Sequence, residues 1–286
     1  MILLPLIASL GYALASLALK RSLFWGIGPW RTTFVVNVMA GLLFLPMFAT
    51  GGHWLGWGEI YQPALAGFCF FIGQIFTFLA LSRGDVSIVT PVLGLKSMLI
   101  AIICAVVLHE TIPTSWWIAS ALCVIAVALL SDNTPTRIKT VRATALLAFL
   151  SAVAFSITDV LVQRWAPRWG AGYFIPLMFG TLAVSSFALV PVFHAPLRSI
   201  PRVGWKWLLA GSGMLCAQAL VMATAISLYG HATAINIVYS CRGIWTIVLV
   251  WIVGHWFSND EQHLGREILI RRLIGAALLV AAIALL

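Results

Sequence analysis

Ten apolar segments of about 17–25 residues follow one another along this 286-residue chain, and that repetition leaves few folds open. A helix rising 1.5 Å per residue crosses the ~30 Å hydrocarbon core in about 20 residues. Without water there, each backbone N–H and C=O must pair within the protein. The segments fall at 2–19, 32–49, 62–82, 85–108, 114–131, 142–164, 171–193, 204–228, 231–256 and 268–286. Only 9% of residues are charged and the mean hydropathy is +1.04, whereas about a quarter of a soluble domain is charged. No polar stretch is long enough for a separate soluble domain. Met1 to Leu19 lacks a basic n-region and runs into Lys20-Arg21, so it reads as a retained first span. The expectation is an all-α membrane protein of ten transmembrane helices.

The segments repeat. At a shift of 146 positions Gly84 falls on Gly230, Ser87 on Thr233, Val92 on Val238, Lys96 on Arg242 and His109 on His255. At 144, Ala66-Gly67 and Gln74 fall on Ala210-Gly211 and Gln218, and at 156 the segment from Ser120 to Leu130 falls on that from Ala276 to Leu286. The ten extra residues enter the polar loop around 258–262. Leucine-rich matches arise by chance; matched basic, glutamine and histidine pairs in the same order are harder to produce that way. The reading is a first five-helix repeat at 1–131, a polar linker at 132–141 and a second repeat at 142–286. Five spans is an odd number, so the second copy enters the membrane upside down. Inverted repeats of this kind enclose a central cavity near the midplane.

Lysine and arginine positions set the orientation. The loops after segments 1, 3, 5, 7 and 9 hold thirteen of them, and the opposite face holds only Arg164 and Arg168. The positive-inside rule places the richer side in the cytoplasm and both termini outside. The formal charge of +9 therefore points to membrane lipid headgroups, with no nucleic-acid partner. The five cysteines lie inside apolar segments without ligand spacing and read as small hydrophobes. No metal cluster, Walker loop or nucleophile elbow is present in the sequence, so no cofactor, metal site or enzymatic reaction is expected.

Two cations sit where charge is expensive. Lys96 and Arg242 each lie about eleven residues from either end of a span, roughly 16 Å, a long reach for snorkelling. A charge at a span centre costs roughly 2.5–3.5 kcal/mol on insertion scales. Across an inverted-repeat axis the two would face one chamber. Lysine offers a point charge and arginine a fork that grips phosphate or carboxylate. The plainer alternative is pairing with Asp85 or Asp159. Gln74 and Gln218 either orient a ligand or bond across helices. Tyr239 and Thr246 share a helical face with Arg242 and would line the same chamber, although a core tyrosine bonded to a carbonyl fits as well. Asp159 is a candidate coupling carboxylate, counter-ion or interfacial residue, and Asn37 a further polar candidate. His109 and His255 end their segments, where the helix dipole favours imidazolium capping over proton relay. Tryptophans near segment ends (Trp30, Trp54, Trp57, Trp116) read as interfacial belt.

The five-plus-five repeat, the Gly84-Asp85…Thr90-Pro91 start of the fourth segment and the His109-Glu110 at its end resemble the drug/metabolite transporter superfamily, particularly its EamA-type bacterial members. The resemblance covers the whole chain. The second copy departs from it, with Trp256 where Glu110 stands in the first and Ile237 in place of Pro91. The resemblance implies a multi-pass protein of a bacterial inner membrane. It also implies basic residues on the fourth and ninth spans that hold phosphate groups, as in nucleotide-sugar and sugar-phosphate relatives; Lys96 and Arg242 occupy similar positions. Relatives are often described with cytoplasmic termini, against the loop count, which is followed here.

The expected function is secondary active transport of a small anionic metabolite, phosphorylated or carboxylated, by alternating access. Lys96, Arg242, Gln74, Gln218, Tyr239, Thr246 and Asn37 would bind it and Asp159 would couple it. Two alternatives keep the fold: a proton-coupled exporter of cationic or hydrophobic compounds working through Asp159, and a flippase whose cations hold a lipid headgroup. Duplication builds the site within one chain, so a monomer suffices.

Overall fold

The computed structural model describes residues 2–83, 86–130, 138–253 and 266–286. Among these described residues twelve α-helices follow in order: α1 (Leu3–Leu23), α2 (Pro29–Leu43), α3 (Tyr61–Arg83), α4 (Val86–Gly94), α5 (Lys96–Val107), α6 (Thr114–Leu130), α7 (Ile138–Trp169), α8 (Ala171–Ser185), α9 (Arg202–Tyr229), α10 (Ala232–Tyr239), α11 (Arg242–Val253) and α12 (Arg266–Ala284). Short 3-10 turns, Leu45–Thr50 and Ser186–Val192, prolong α2 and α8. Asp85, residues 132–137 of the expected linker, His255 and the loop at 258–262 lie outside the described residues.

The helix ends follow local chemistry. Pro29 opens α2 at its first turn, where a missing N–H costs nothing. Gly230 closes α9 in the left-handed conformation, φ 65°, which glycine adopts without strain. His109 follows α5 at φ 53°, and the Glu110 N–H donates back to the Cys104 carbonyl. At this histidine the backbone itself turns the chain, alongside any help its imidazole gives the dipole.

Seven stretches among the described residues are long and apolar enough to cross a membrane: Leu3–Ser22, Pro29–Thr50, Trp57–Ser82, Val89–Val107, Val141–Trp169, Ala171–Val192 and Arg202–Tyr229. Thr114–Leu130 is a shorter apolar helix. Side chains such as Leu3, Leu42, Val106, Phe187 and Leu273 are exposed, as lipid-facing residues of a multi-pass membrane protein must be.

Long helix pairs make the core. α1 lies along α9, α3 along α7, and α6 along α12. Small residues let backbones approach, the usual device where lipid is as apolar as leucine. A Cβ on Gly67 would sit 2.2 Å from the Met178 carbonyl oxygen of α8, and one on Gly211 would sit 2.8 Å from the Leu19 side chain of α1.

Two segments that read as continuous spans are each two helices. The segment 85–108 divides at Leu95, whose N–H reaches Val92, three residues back, instead of four. Gly94 precedes the break and Pro91 removes one donor from the turn before it. The segment 231–256 divides at Ser240-Cys241. There the Ser240 hydroxyl donates to the Asn236 carbonyl at 2.9 Å, competing with the backbone ladder, and the Cys241 N–H turns to Val238. A break at this depth is tolerated where it lines a cavity. In both cases the first residue beyond the break is the basic one, Lys96 or Arg242.

Candidate functional site

The two breaks open onto one cavity of about 250 Å³. Its wall takes residues from α1, α2, α3, α4, α5, α7, α8, α9, α10 and α11, thus from both halves of the chain. Most of it is apolar, with Phe70, Phe78, Phe155, Phe179, Met178 and Met222 prominent. A small number of polar groups converge on this surface, the usual composition of a small-molecule site.

Three formally charged residues reach the cavity among those described: Lys96, Asp159 and Arg242. Lys96 Nζ lies 2.8 Å from Asp159 Oδ2, and their side chains are 20% and 13% exposed. That oxygen also accepts from Asn236 Nδ2 at 2.7 Å, and the second Asn236 proton holds the Ala232 carbonyl at 3.0 Å. The ammonium of Lys96 also stands 5.9 Å from the Phe155 ring centroid. Desolvated charges persist only when paired and hydrogen-bonded, and this group meets both conditions.

Arg242 is held differently. Its guanidinium carbon is 5.0 Å from the Tyr12 ring centroid and 4.8 Å from that of Tyr239, and the two rings meet edge to face at 6.1 Å. No carboxylate lies within ion-pair distance of it among the described residues, where Lys96–Asp159 is the ion pair found. An arginine packed over aromatic faces keeps its charge with part of its water removed.

The amide oxygens are committed. Asn37 Nδ2 donates to Gln74 Oε1 at 2.7 Å and to Ser186 Oγ at 2.8 Å, while Gln74 Nε2 donates back to Asn37 Oδ1 at 3.0 Å. Gln218 Oε1 accepts from the Tyr239 hydroxyl at 2.9 Å, which orients the ring under Arg242. Lys96, Arg242, Gln74, Gln218, Tyr239, Asn37 and Asp159 therefore all reach the cavity wall. Thr246 does not: its hydroxyl donates to the Arg242 carbonyl at 2.8 Å, within its own helix.

Tyr12, Asn236 and Phe155 were not anticipated. Tyr12 is the tyrosine of the first apolar segment and Asn236 lies six residues before Arg242, but neither carries a charge that marks a span interior. Gln163 was missed as well. It donates to Glu110 Oε1 and accepts from the Ala232 N–H at 2.7 Å, tying the end of α5 to the start of α10. No group of three His, Cys, Asp or Glu among the described residues is placed to hold a metal ion.

The model of the EamA-like transporter family matches residues 1–132. Residues 1–132 are thus similar to the EamA-like transporter family. That EamA-like region contributes Tyr12, Asn37, Gln74 and Lys96 to the cavity, and the remaining half of the chain contributes Asp159, Gln218, Tyr239 and Arg242. A protein known from its crystal structure is similar to this chain at 17% identity and a TM-score of 0.77, covering 99% of this chain and 94% of its own. At that identity the likeness establishes the fold, and it extends well beyond the EamA-like region. No curated protein matches the sequence.

Proposed function

We propose that this chain is a secondary active transporter that carries a small anionic metabolite through the cavity between its halves. The observation that carries the reading is Arg242: a guanidinium on the cavity wall, packed over two tyrosine rings, with no carboxylate partner among the described residues. A cation kept at this depth is costly unless something anionic visits it. The EamA-like match over residues 1–132 supports membrane transport.

Alternating access is the proposed mechanism, by two inverted five-helix units forming ten spans. Three features support it. Lys96 and Arg242, 146 residues apart, both begin a helix immediately after a break. The pairings α3 with α7 and α9 with α1 exchange when the halves are exchanged, and α6 with α12 maps onto itself. Broken helices at a repeat interface are the usual place for a transported ligand. Asp159 is the proposed coupling residue, released from Lys96 when a proton or a substrate group takes its place. The loop charges favour cytoplasmic loops on the lysine- and arginine-rich side.

The test is binding and uptake by reconstituted full-length protein, with Lys96→Ala and Arg242→Ala. Arg242→Ala is expected to weaken anion binding by about tenfold or more, as for a lost charged hydrogen bond of 1.5–3 kcal/mol. Unchanged affinity in both variants overturns the anion reading. One observation favours a second reading, export of hydrophobic or cationic compounds: Asp159 is the carboxylate of a wall that is otherwise mostly apolar. Transport that survives Lys96→Ala and vanishes with Asp159→Asn would support that reading instead.

A further inference from the structure

We infer that the cavity selects singly charged organic anions with a compact apolar body, and that Asp159 is the residue that turns doubly charged anions away. The inference rests on the anion reading above and narrows it.

Charge is the first ground. Lys96, Arg242 and Asp159 leave the wall with one net positive charge among the described residues. A monoanion on Arg242 brings the chamber to neutrality. A dianion leaves one negative charge uncompensated beside Asp159, in surroundings too poor in water to screen it.

The second ground is asymmetry. Each half places a basic residue immediately after its helix break, but the partners differ. Lys96 meets a carboxylate at 2.8 Å, and that carboxylate is itself pinned by Asn236. Arg242 meets two tyrosine rings, which offer π faces and no formal charge. The protein supplies an anion for one cation and leaves the other to the ligand. A site built for a phosphate dianion would have left both cations open.

The third ground is the rest of the wall. Asn37 and Gln74 satisfy each other, Asn37 also holds Ser186, and the Gln218 oxygen is taken by Tyr239. A polyhydroxylated body would find few free partners for its hydroxyls, and each unpaired one is penalised. Phe70, Phe78, Phe155 and Phe179 suit a flat apolar body. A volume of about 250 Å³ equals roughly eight waters, enough for one ring and a short acidic arm.

The experiment separates charge from shape with three probes sharing a benzyl body: phenylacetate, phenylmethanesulfonate and benzyl phosphate. The first two are monoanions, planar and tetrahedral. The third carries nearly two charges at about pH 8, because its second pKa is near 6. Thermal-shift titration of the detergent-purified full chain gives apparent affinities. Wild type is expected to bind both monoanions about tenfold or more tightly than benzyl phosphate. Asp159→Asn should erase or reverse that preference by strengthening the phosphate. The double variant K96Q/D159N restores the net charge of one and should restore the monoanion preference.

Equal binding of all three probes by wild type, or a preference that Asp159→Asn leaves unmoved, overturns this inference and leaves the anion reading standing. Failure of every probe to bind, with no effect of Arg242→Gln, removes both. Should Asp159→Asn not fold, wild type and K96Q/D159N decide: both must favour the monoanions, and a phosphate preference in either is contrary.

Discussion

Lys96 stripped of its side chain would leave Asp159 in the membrane interior with only the Asn236 amide for company. Breaking a fully buried pair costs about 3–5 kcal/mol and a half-buried pair like this one less, whereas removing both partners together costs less still. Lys96→Ala and Asp159→Ala are each expected to lower the detergent-solubilised melting temperature clearly, and K96A/D159A to recover part of the loss. Strictly additive losses would mean the two charges are solvated separately. The cations were legible in the sequence because a charge at a span centre stands out. Tyr12 and Asn236 were not, since a tyrosine or asparagine in a span acquires meaning only from what it touches. Thr246 illustrates the opposite error. It shares a helical face with Arg242, but a threonine hydroxyl readily turns to the carbonyl four residues back.

Helix crossings impose sharper limits than helix composition. An added methyl at Gly67 meets a backbone oxygen of α8, which cannot rotate out of the way as a side-chain tip can. Gly67→Ala is expected to lose about 1–3 kcal/mol of stability, the range for overpacking. Gly180→Ala, where a Cβ meets nothing within 4 Å, should stay within about 1 kcal/mol of wild type, on the stabilising side if anything. Melting curves of the two variants make the comparison; equal stability would show that α3 and α8 can separate freely. Hydropathy located the helical stretches well but was blind to the breaks. A backbone that shifts from four-residue to three-residue bonding keeps the same apolar side chains. Gly94 and Pro91 forewarned of the first break. The second has no proline and depends on the Ser240 hydroxyl.

For the molecule as a whole, orientation is the proposal most open to a direct check. Four native cysteines are buried and Cys69 is half-buried, so the background for a membrane-impermeant thiol reagent is low. In intact cells Trp57→Cys, between α2 and α3, should label, while Arg198→Cys, between α8 and α9, should label only after permeabilisation. The reverse pattern would invert the topology. The membrane class was readable from residue pattern, and so was the likeness of residues 1–132 to the EamA-like family. The family match ends at residue 132 although the fold likeness covers 99% of the chain. The second half has lost sequence marks such as the proline at Ile237 while keeping the helix architecture around it.

Arg242 is both the residue packed over the two tyrosines and the first residue past the break between α10 and α11. On the proposed function, cargo that gripped this side chain would be attached to the joint itself, and recognition and stroke would share a single lever. A lineage that altered its preferred passenger by changing Arg242 would detune the movement in the same step. New specificities are more easily acquired on the aromatic wall, away from the elbow.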